Sequence, residues 1–114
     1  MIAKKNILLE KTFAFACSIL DFHSVLKEKR HYEIASQLVR SGTSVGANSR
    51  EAQRAESKAD FRHKLRIALK EADETRYWLE LINEKLVDVD EELLKQNDEI
   101  IRILVSIINS SISK

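Results

Sequence analysis

The chain has 114 residues, which suits a single domain, since a second hydrophobic core would need more chain. Two glycines and no proline argue against folds rich in tight turns, such as sheet sandwiches, and 44% hydrophobic with 32% charged residues argue against disorder. The net charge is only +1. The single cysteine excludes an internal disulfide, so we expect a cytoplasmic location. No apolar run approaches the ~20 residues of a membrane span, so we expect no membrane contact.

The first two predicted elements are long amphipathic helices. Apolar residues from Leu8 to Leu26 recur at alternating spacings of four and three, which predicts a helix over about residues 6–28. A similar spacing resumes at Ile34 and predicts a second helix over about residues 33–55. Cys17 lies within the first helix, where we expect a small buried core residue rather than a reactive thiol.

The segment SGTSVGAN at residues 41–48 lies inside the second helix pattern but consists of residues typical of turns. Its composition favours a loop, whereas the apolar spacing on both sides favours a continuous helix. We predict the helix, because small residues let a neighbouring helix approach closely, and this packing can offset a cost of ~1 kcal/mol per glycine.

The third and fourth elements follow after a short turn. Ser57 and Asp60 have the spacing of a capping box, and the regular apolar positions from Phe61 to Leu86 predict a helix over about residues 58–86. The acidic stretch at residues 88–92 suits a connection and the start of a helix over about residues 91–111. Isoleucine and leucine cover most of this last helix, so we expect it to be buried on two sides, partly against another subunit.

Four helices of this length, joined by short loops, predict an all-α fold. The expected architecture is an antiparallel up-down-up-down four-helix bundle that forms one domain over residues 1–114.

Two residue pairs have the spacing of metal ligands in helical bundles. Glu28 with His31, and Asp60 with His63, each place a carboxylate three residues before a histidine. A di-iron site also needs inward-facing carboxylates from two other helices, whereas Glu28 lies at a helix end and His63 lies beside the apolar stripe. We therefore interpret both pairs as solvated charges and predict no metal and no cofactor.

Glu71 and Glu74 lie one turn apart on the third helix, and paired carboxylates can act in acid–base catalysis. The chain has no glycine-rich phosphate loop and no C-x-x-C motif. We therefore expect these carboxylates to pair with Arg40, or with charges on a neighbouring subunit, and predict no enzymatic activity and no catalytic residue.

Charge is unevenly distributed along the chain. Residues 1–70 contain 14 Lys or Arg and 7 Asp or Glu, whereas residues 71–114 contain 5 and 11. A basic residue occupies every fourth position from 50 to 70, and this basic row consists of Arg50, Arg54, Lys58, Arg62, Arg66 and Lys70. The spacing aligns side chains along a helix face, although the turn near Ser57 divides the row between two helices. The row predicts either a phosphate-binding surface for RNA or DNA, or a solvated face paired with nearby acids.

Residues 37–82 carry three motifs that resemble a known family. They read Q-L-x-R, S-x-x-A-N-x-x-E and F-x-x-x-L-x-x-A-x-x-E-x-x-E. With them the chain resembles the bacterial four-helix bundle proteins encoded by intervening sequences in 23S ribosomal RNA genes, which are related to the accessory variability protein of diversity-generating retroelements. The motif residues that we expect to be structural are Gln37, Arg40, Ser44, Asn48, Glu51, Glu71 and Glu74.

The resemblance implies a bundle that assembles into a homo-oligomeric ring, commonly a pentamer, and the retroelement relative implies a basic nucleic-acid binder. Together with the basic row, this predicts a non-enzymatic, ring-forming protein that binds nucleic acid through phosphate contacts. The alternative is an oligomeric scaffold that holds another protein and binds no nucleic acid.

Overall fold

The structure, a computed structural model that describes residues 6–112, consists of four α-helices joined by short turns. The helices are α1 (Ile7–Glu28), α2 (Tyr32–Ala52), α3 (Lys58–Lys85) and α4 (Glu91–Ile112). Each helix packs against its two neighbours in the order α1–α2–α3–α4–α1. The all-α, antiparallel up-down-up-down bundle is therefore confirmed, and every predicted helix boundary lies within three residues of the observed one.

The second helix is continuous across residues 41–48, as predicted. Gly42 is buried where α2 crosses α1, and a Cβ atom at this position would lie 2.9 Å from Ile19 Cγ1. The missing side chain therefore brings the two helices close together, and packing offsets the poor helix propensity of glycine.

Local hydrogen bonds define where the helices begin and end. Ser57 Oγ accepts from the backbone N–H of Asp60 at 3.0 Å, and the Asp60 carboxylate accepts from the N–H of Glu56 at 3.2 Å. The Ser57 cap therefore fixes the start of α3. At the end of α1, Arg30 has a φ of 67° in a Schellman turn, in which the His31 N–H donates to the Leu26 carbonyl at 2.9 Å.

The core consists mainly of the predicted apolar stripes. Its largest fully buried apolar side chains are Phe15, Ile19, Leu26, Leu38, Val45, Leu65, Leu79, Ile82, Ile100 and Leu104. Two residues that the apolar patterns assign to the core are not buried. Cys17 is exposed, because it lies about 200° around the helix from Phe15 and therefore faces away from the core. Leu86 follows the last residue of α3 and is 40% exposed.

Helix α4 buries more of its apolar surface within one subunit than its sequence indicated. Ile100, Leu104 and Ile108 are buried, and Ile103 and Ile107 pack partly against the same core. The most exposed large hydrophobic side chain among residues 6–112 belongs instead to α1, where Phe13 is 62% exposed. No helix in this range is long and apolar enough to cross a membrane.

Polar side chains form a layer inside the core. The Thr75 hydroxyl lies 2.8 Å from Ser41 Oγ and 2.7 Å from the Glu71 carbonyl oxygen. Asn97 Nδ2 donates to the Ala72 carbonyl at 3.0 Å, whereas Asn97 Oδ1 is buried without a hydrogen-bond partner among the described residues. Three helices are therefore joined through polar as well as apolar contacts.

Candidate nucleic-acid interface

The basic row is divided between different parts of the bundle surface. Arg50 lies in the last turn of α2 and lines a groove between α1 and α2. Arg54 is exposed in the turn between α2 and α3. Lys58, Arg62 and Arg66 lie on α3 and line a depression beside the end of α4. Arg50 therefore lines a different groove from Lys58, Arg62 and Arg66.

Lys58, Arg62 and Arg66 form the one group within the row that shares a surface depression; we call them the basic cluster. The Ser57 cap starts α3 at Lys58, so positions four residues apart fall on the same helix face. Their depression has a volume of about 540 Å³ and is also lined by Ser111 and Ile112. Lys58 and Arg66 are exposed, and neither forms an ion pair with another residue between 6 and 112.

Arg62 differs from its two neighbours because it also contacts α4. Its side chain is partly buried, and Nη1 donates to the Ser111 carbonyl at 3.4 Å. The last turn of α4 has no basic residue of its own, and carbonyl groups at a helix C-terminus carry partial negative charge. Arg62 therefore stabilises the end of α4, which leaves Lys58 and Arg66 as the cluster's more accessible charges.

Lys70 lies farther along α3, next to an acidic group rather than in the depression. Arg40 on α2 donates to the Glu71 carboxylate at 3.2 Å and also to the Glu74 carboxylate. The Arg40 hydrogen bond holds the pKa of Glu74 below its ordinary value, and the Trp78 indole N–H and the Lys70 charge act in the same direction. Pairing with Arg40, one of the two arrangements expected for these carboxylates, is thus present within one subunit.

The other motif residues extend this polar edge between α2 and α3. Ser44 Oγ donates to the Arg40 carbonyl at 2.6 Å, and Asn48 Nδ2 donates to the Ser44 carbonyl at 2.9 Å. Glu51 accepts from Lys64 Nζ of α3 at 3.1 Å, whereas Gln37 is exposed on α2. Ion pairs at Arg40 and at Glu51 therefore join α2 to α3 at two levels of the bundle.

The candidate acid–base and metal-ligand residues of α3 take part in local contacts or lie exposed. Glu71 and Glu74 both accept from Arg40, and the lowered pKa of Glu74 opposes a role for that carboxyl as a proton donor near neutral pH. Among residues 6–112, no group of three or more His, Cys, Asp or Glu side chains is placed to hold a metal ion. Asp60 instead serves the start of α3, and His63 is exposed.

The sequence interpretation missed an apolar ridge on the outside of α1. Phe13 and Leu20 are 62% and 50% exposed, and exposed Cys17 lies between them. The signal was present, because positions 13, 17 and 20 repeat the same four-and-three spacing as the buried stripe, on the opposite side of the helix.

The fold and the surface together define a small four-helix bundle in which three cations near the start of α3 line one surface depression. The model of the 23S rRNA-intervening sequence protein family matches residues 4–108, so the chain belongs to this family. A crystal structure of a protein of unknown function from the S23 ribosomal protein family of Bacteroides thetaiotaomicron is similar to it, with 41% sequence identity and a TM-score of 0.85. The match covers 90% of this chain and 98% of that protein. No protein with a curated description matches the chain significantly.

Proposed function

We propose that this chain is a non-enzymatic cytoplasmic protein that assembles with copies of itself into a ring and binds RNA or DNA through phosphate contacts. The observation that carries the proposal is the basic cluster, in which three cations from successive turns of α3 line one depression. Lys58 and Arg66 are exposed there, so a phosphate can reach them without breaking an ion pair between described residues.

The character of the depression favours phosphate recognition over base recognition. Among the described residues, its polar lining consists of long cationic side chains and Ser111, and none of the lining residues is aromatic, so no ring is offered on which a base could stack. In a ring of identical subunits the cluster would recur around the axis, so that weak contacts add along one nucleic-acid strand. We therefore expect binding that depends on charge and shape rather than on sequence.

The direct test compares two double variants that remove equal charge. Lys58→Gln with Arg66→Gln removes two cations from the cluster, whereas Lys85→Gln with Lys95→Gln removes two exposed cations toward the other end of the bundle. Arg62 is left unchanged, because its substitution would also remove the contact with α4. Affinity for a single-stranded RNA of arbitrary sequence and for a DNA duplex is measured between about 50 and 200 mM salt, where phosphate contacts have a large effect.

We expect the cluster variant to bind more weakly to both nucleic acids. The slope of log affinity against log salt concentration should become less steep by about 0.7 to 0.9 for each phosphate contact removed. The control variant should keep the wild-type slope. Equal slopes for the two variants would show that the cluster does not contact the nucleic acid. Absence of wild-type binding at about 50 mM salt would contradict nucleic-acid binding altogether.

The exposed apolar ridge of α1 favours one alternative, an oligomeric scaffold for another protein. Phe13 and Leu20 are the kind of side chains that protein interfaces bury. A wild-type protein that forms oligomers but binds neither RNA nor DNA at low salt would support this alternative.

A further inference from the structure

The α1–α2 face of the bundle differs from the other faces in its lack of charge. Its centre contains Phe13, Cys17 and Leu20 on the ridge of α1, beside a groove whose other lining residues are Leu9, Thr12, Ala16, Thr43, Gly46, Ala47 and Arg50. Arg50, at one end of this groove, is the one charged side chain among the described residues that line it. We call this set of residues the α1–α2 face.

The remaining faces carry charges along their length. The grooves between α1 and α4 are lined by Glu10, Lys11, Asp21, Asp90, Glu92 and Glu99. The α2–α3 edge contains the Arg40 and Glu51 ion pairs, and the α3–α4 face contains the basic cluster and the ion pair between Arg76 and Asp98. An apolar partner surface would therefore bury charges on these faces but almost none on the α1–α2 face.

The α1–α2 face provides both a projection and a hollow. Phe13 is 62% exposed and stands at the edge of the groove, which has a volume of about 230 Å³. The groove exists because Gly46 and Ala47 present little side chain toward α1, so the surface between the helices is not filled. Apolar cavities of roughly 150 Å³ already accept benzene, so a groove of this size can receive a phenyl ring.

We propose that the α1–α2 face is a contact between two copies of this chain, in which Phe13 of each copy enters the groove beside Gly46 and Ala47 of the other. A covering partner must itself be uncharged at the centre, because an unpaired charge placed against Phe13 and Leu20 would lose its hydration without compensation. Among the described surfaces of this chain, the α1–α2 face meets that requirement.

The same face also contains both complementary shapes. Because the projection and the groove are adjacent, two copies related by a two-fold axis can make the contact reciprocally. Such a contact joins subunits in pairs, so it is distinct from the repeating contact that closes a ring, and it adds a second interface to the proposed assembly.

Cys17 makes the contact measurable, because it is the chain's single cysteine and lies exposed on the ridge between Phe13 and Leu20. In the proposed pair its thiol is covered. The rate of its reaction with a maleimide should therefore fall as wild-type protein is concentrated from about 1 to 100 µM, and sedimentation should show association over the same range.

Two variants of the face test the proposal, and a third serves as control. Phe13→Ser removes the projection, and Ala47→Lys places a charge in the groove at an exposed position. Each should raise the dissociation constant of the pair about 30-fold or more, as expected for a central interface residue, and should restore fast labelling of Cys17 at high concentration. Tyr77→Ser removes an aromatic residue that is 56% exposed on α3, and it should leave both measurements unchanged.

The proposal is overturned if Cys17 reacts equally fast at all concentrations, or if Phe13→Ser and Ala47→Lys associate like the wild type. A helical circular dichroism spectrum for each variant shows that it is folded. The measurements contain no nucleic acid, so they succeed or fail independently of RNA or DNA binding by the basic cluster.

Discussion

At the scale of single residues, Arg40 pairs with both motif glutamates, Glu71 and Glu74. Its guanidinium lies between α2 and α3 and donates to Glu71 and Glu74, while Glu74 also accepts from the Trp78 indole at 3.1 Å. One cation from α2 therefore neutralises two acids that lie one turn apart on α3. Without it the two like charges would repel each other along the helix.

This pairing predicts how stability depends on pH. The pKa of Glu74 is lowered in the folded state, so its stabilising effect is present above the unfolded pKa of about 4.3 and is lost as the pH falls through the folded pKa. Glu74→Gln should reduce the free energy of unfolding at neutral pH and should flatten its decline in acid. Urea unfolding between pH 7 and pH 3 measures both effects. Glu84→Gln, exposed on the same helix, is the control, and equal pH profiles for the two variants would contradict the prediction.

Asn97 is a buried residue whose hydrogen-bonding groups are only partly satisfied among the described residues. Its side chain is fully buried, and one of its two polar atoms has no hydrogen-bond partner among the described residues. A buried amide without full compensation lowers stability, but the bond from its Nδ2 to the Ala72 carbonyl sets α4 against α3 at one register.

Asn97→Asp should destabilise the bundle by about 3 to 5 kcal/mol at pH 7, because an unpaired carboxylate would then be buried. Burial raises the pKa of such a carboxyl, so part of the loss should be recovered as the pH falls and the group becomes neutral. Denaturant unfolding at pH 7 and pH 5, each compared with wild type, measures this recovery. Asn97→Leu introduces no charge and should show no such pH-dependent recovery; the same recovery in both variants would indicate another cause.

At the scale of elements, the close approach of α1 and α2 depends on two glycines that are not equivalent. A Cβ atom on Gly42 would lie within 3.2 Å of three atoms of buried Ile19. A Cβ atom on Gly46 would lie 3.3 Å from Thr12 Oγ1, and Gly46 is partly exposed. Ile19 and Thr12 are both buried, but the 2.9 Å contact with Ile19 requires the core to shift, whereas Thr12 needs to move by only a few tenths of an ångström.

Gly42→Ala should therefore destabilise the protein by about 1 to 3 kcal/mol, because overpacking outweighs the ~1 kcal/mol gain in helix propensity. Gly46→Ala gains the same helix propensity at little steric cost. Its free energy of unfolding should be higher than that of the wild type, or lower by at most about 1 kcal/mol. Thermal and urea unfolding compare the two variants directly. If Gly42→Ala proved as stable as Gly46→Ala, the interface between α1 and α2 would be looser than the structure indicates.

At the scale of the whole molecule, the two halves of the longest helix, α3, carry opposite net charge. The first turns of α3 contain the basic cluster, whereas the second half of α3 and the first half of α4 lie side by side and together contain eight acidic and three basic residues. The two ends of α3 are separated by about 40 Å, given its 28 residues. Along α3, a polyanion should therefore prefer the first turns to the second half of the helix.

Lysine acetylation in the presence and absence of RNA tests this orientation. Lys58 should be protected by bound RNA, whereas Lys85 at the opposite end of α3 should react as fast as in the free protein. Mass spectrometry of digested protein gives both rates from one sample. Equal protection at the two lysines would show that RNA binds without a preferred end, and protection of Lys85 alone would place the interface at the acidic end.

The sequence by itself determined the four helices, their approximate ends and most of the core. These features depend on local information: the four-and-three apolar spacing, the capping residue Ser57 and the acidic start of α4 act within a few turns of the chain. Even the glycine-containing segment of α2 could be assigned to a helix from the spacing on either side.

Only the tertiary structure decided which surfaces the helices share. The spacing of the basic row could not show that Arg50 faces α1 while Arg62 reaches the end of α4, because the turn before Ser57 changes the direction of the chain. Likewise the spacing along α1 places Cys17 opposite the buried stripe, but only the positions of α2 and α4 decide that this side of α1 stays exposed. Periodicity fixes the angle between residues on one helix, whereas the direction in which each face points depends on the positions of the neighbouring helices.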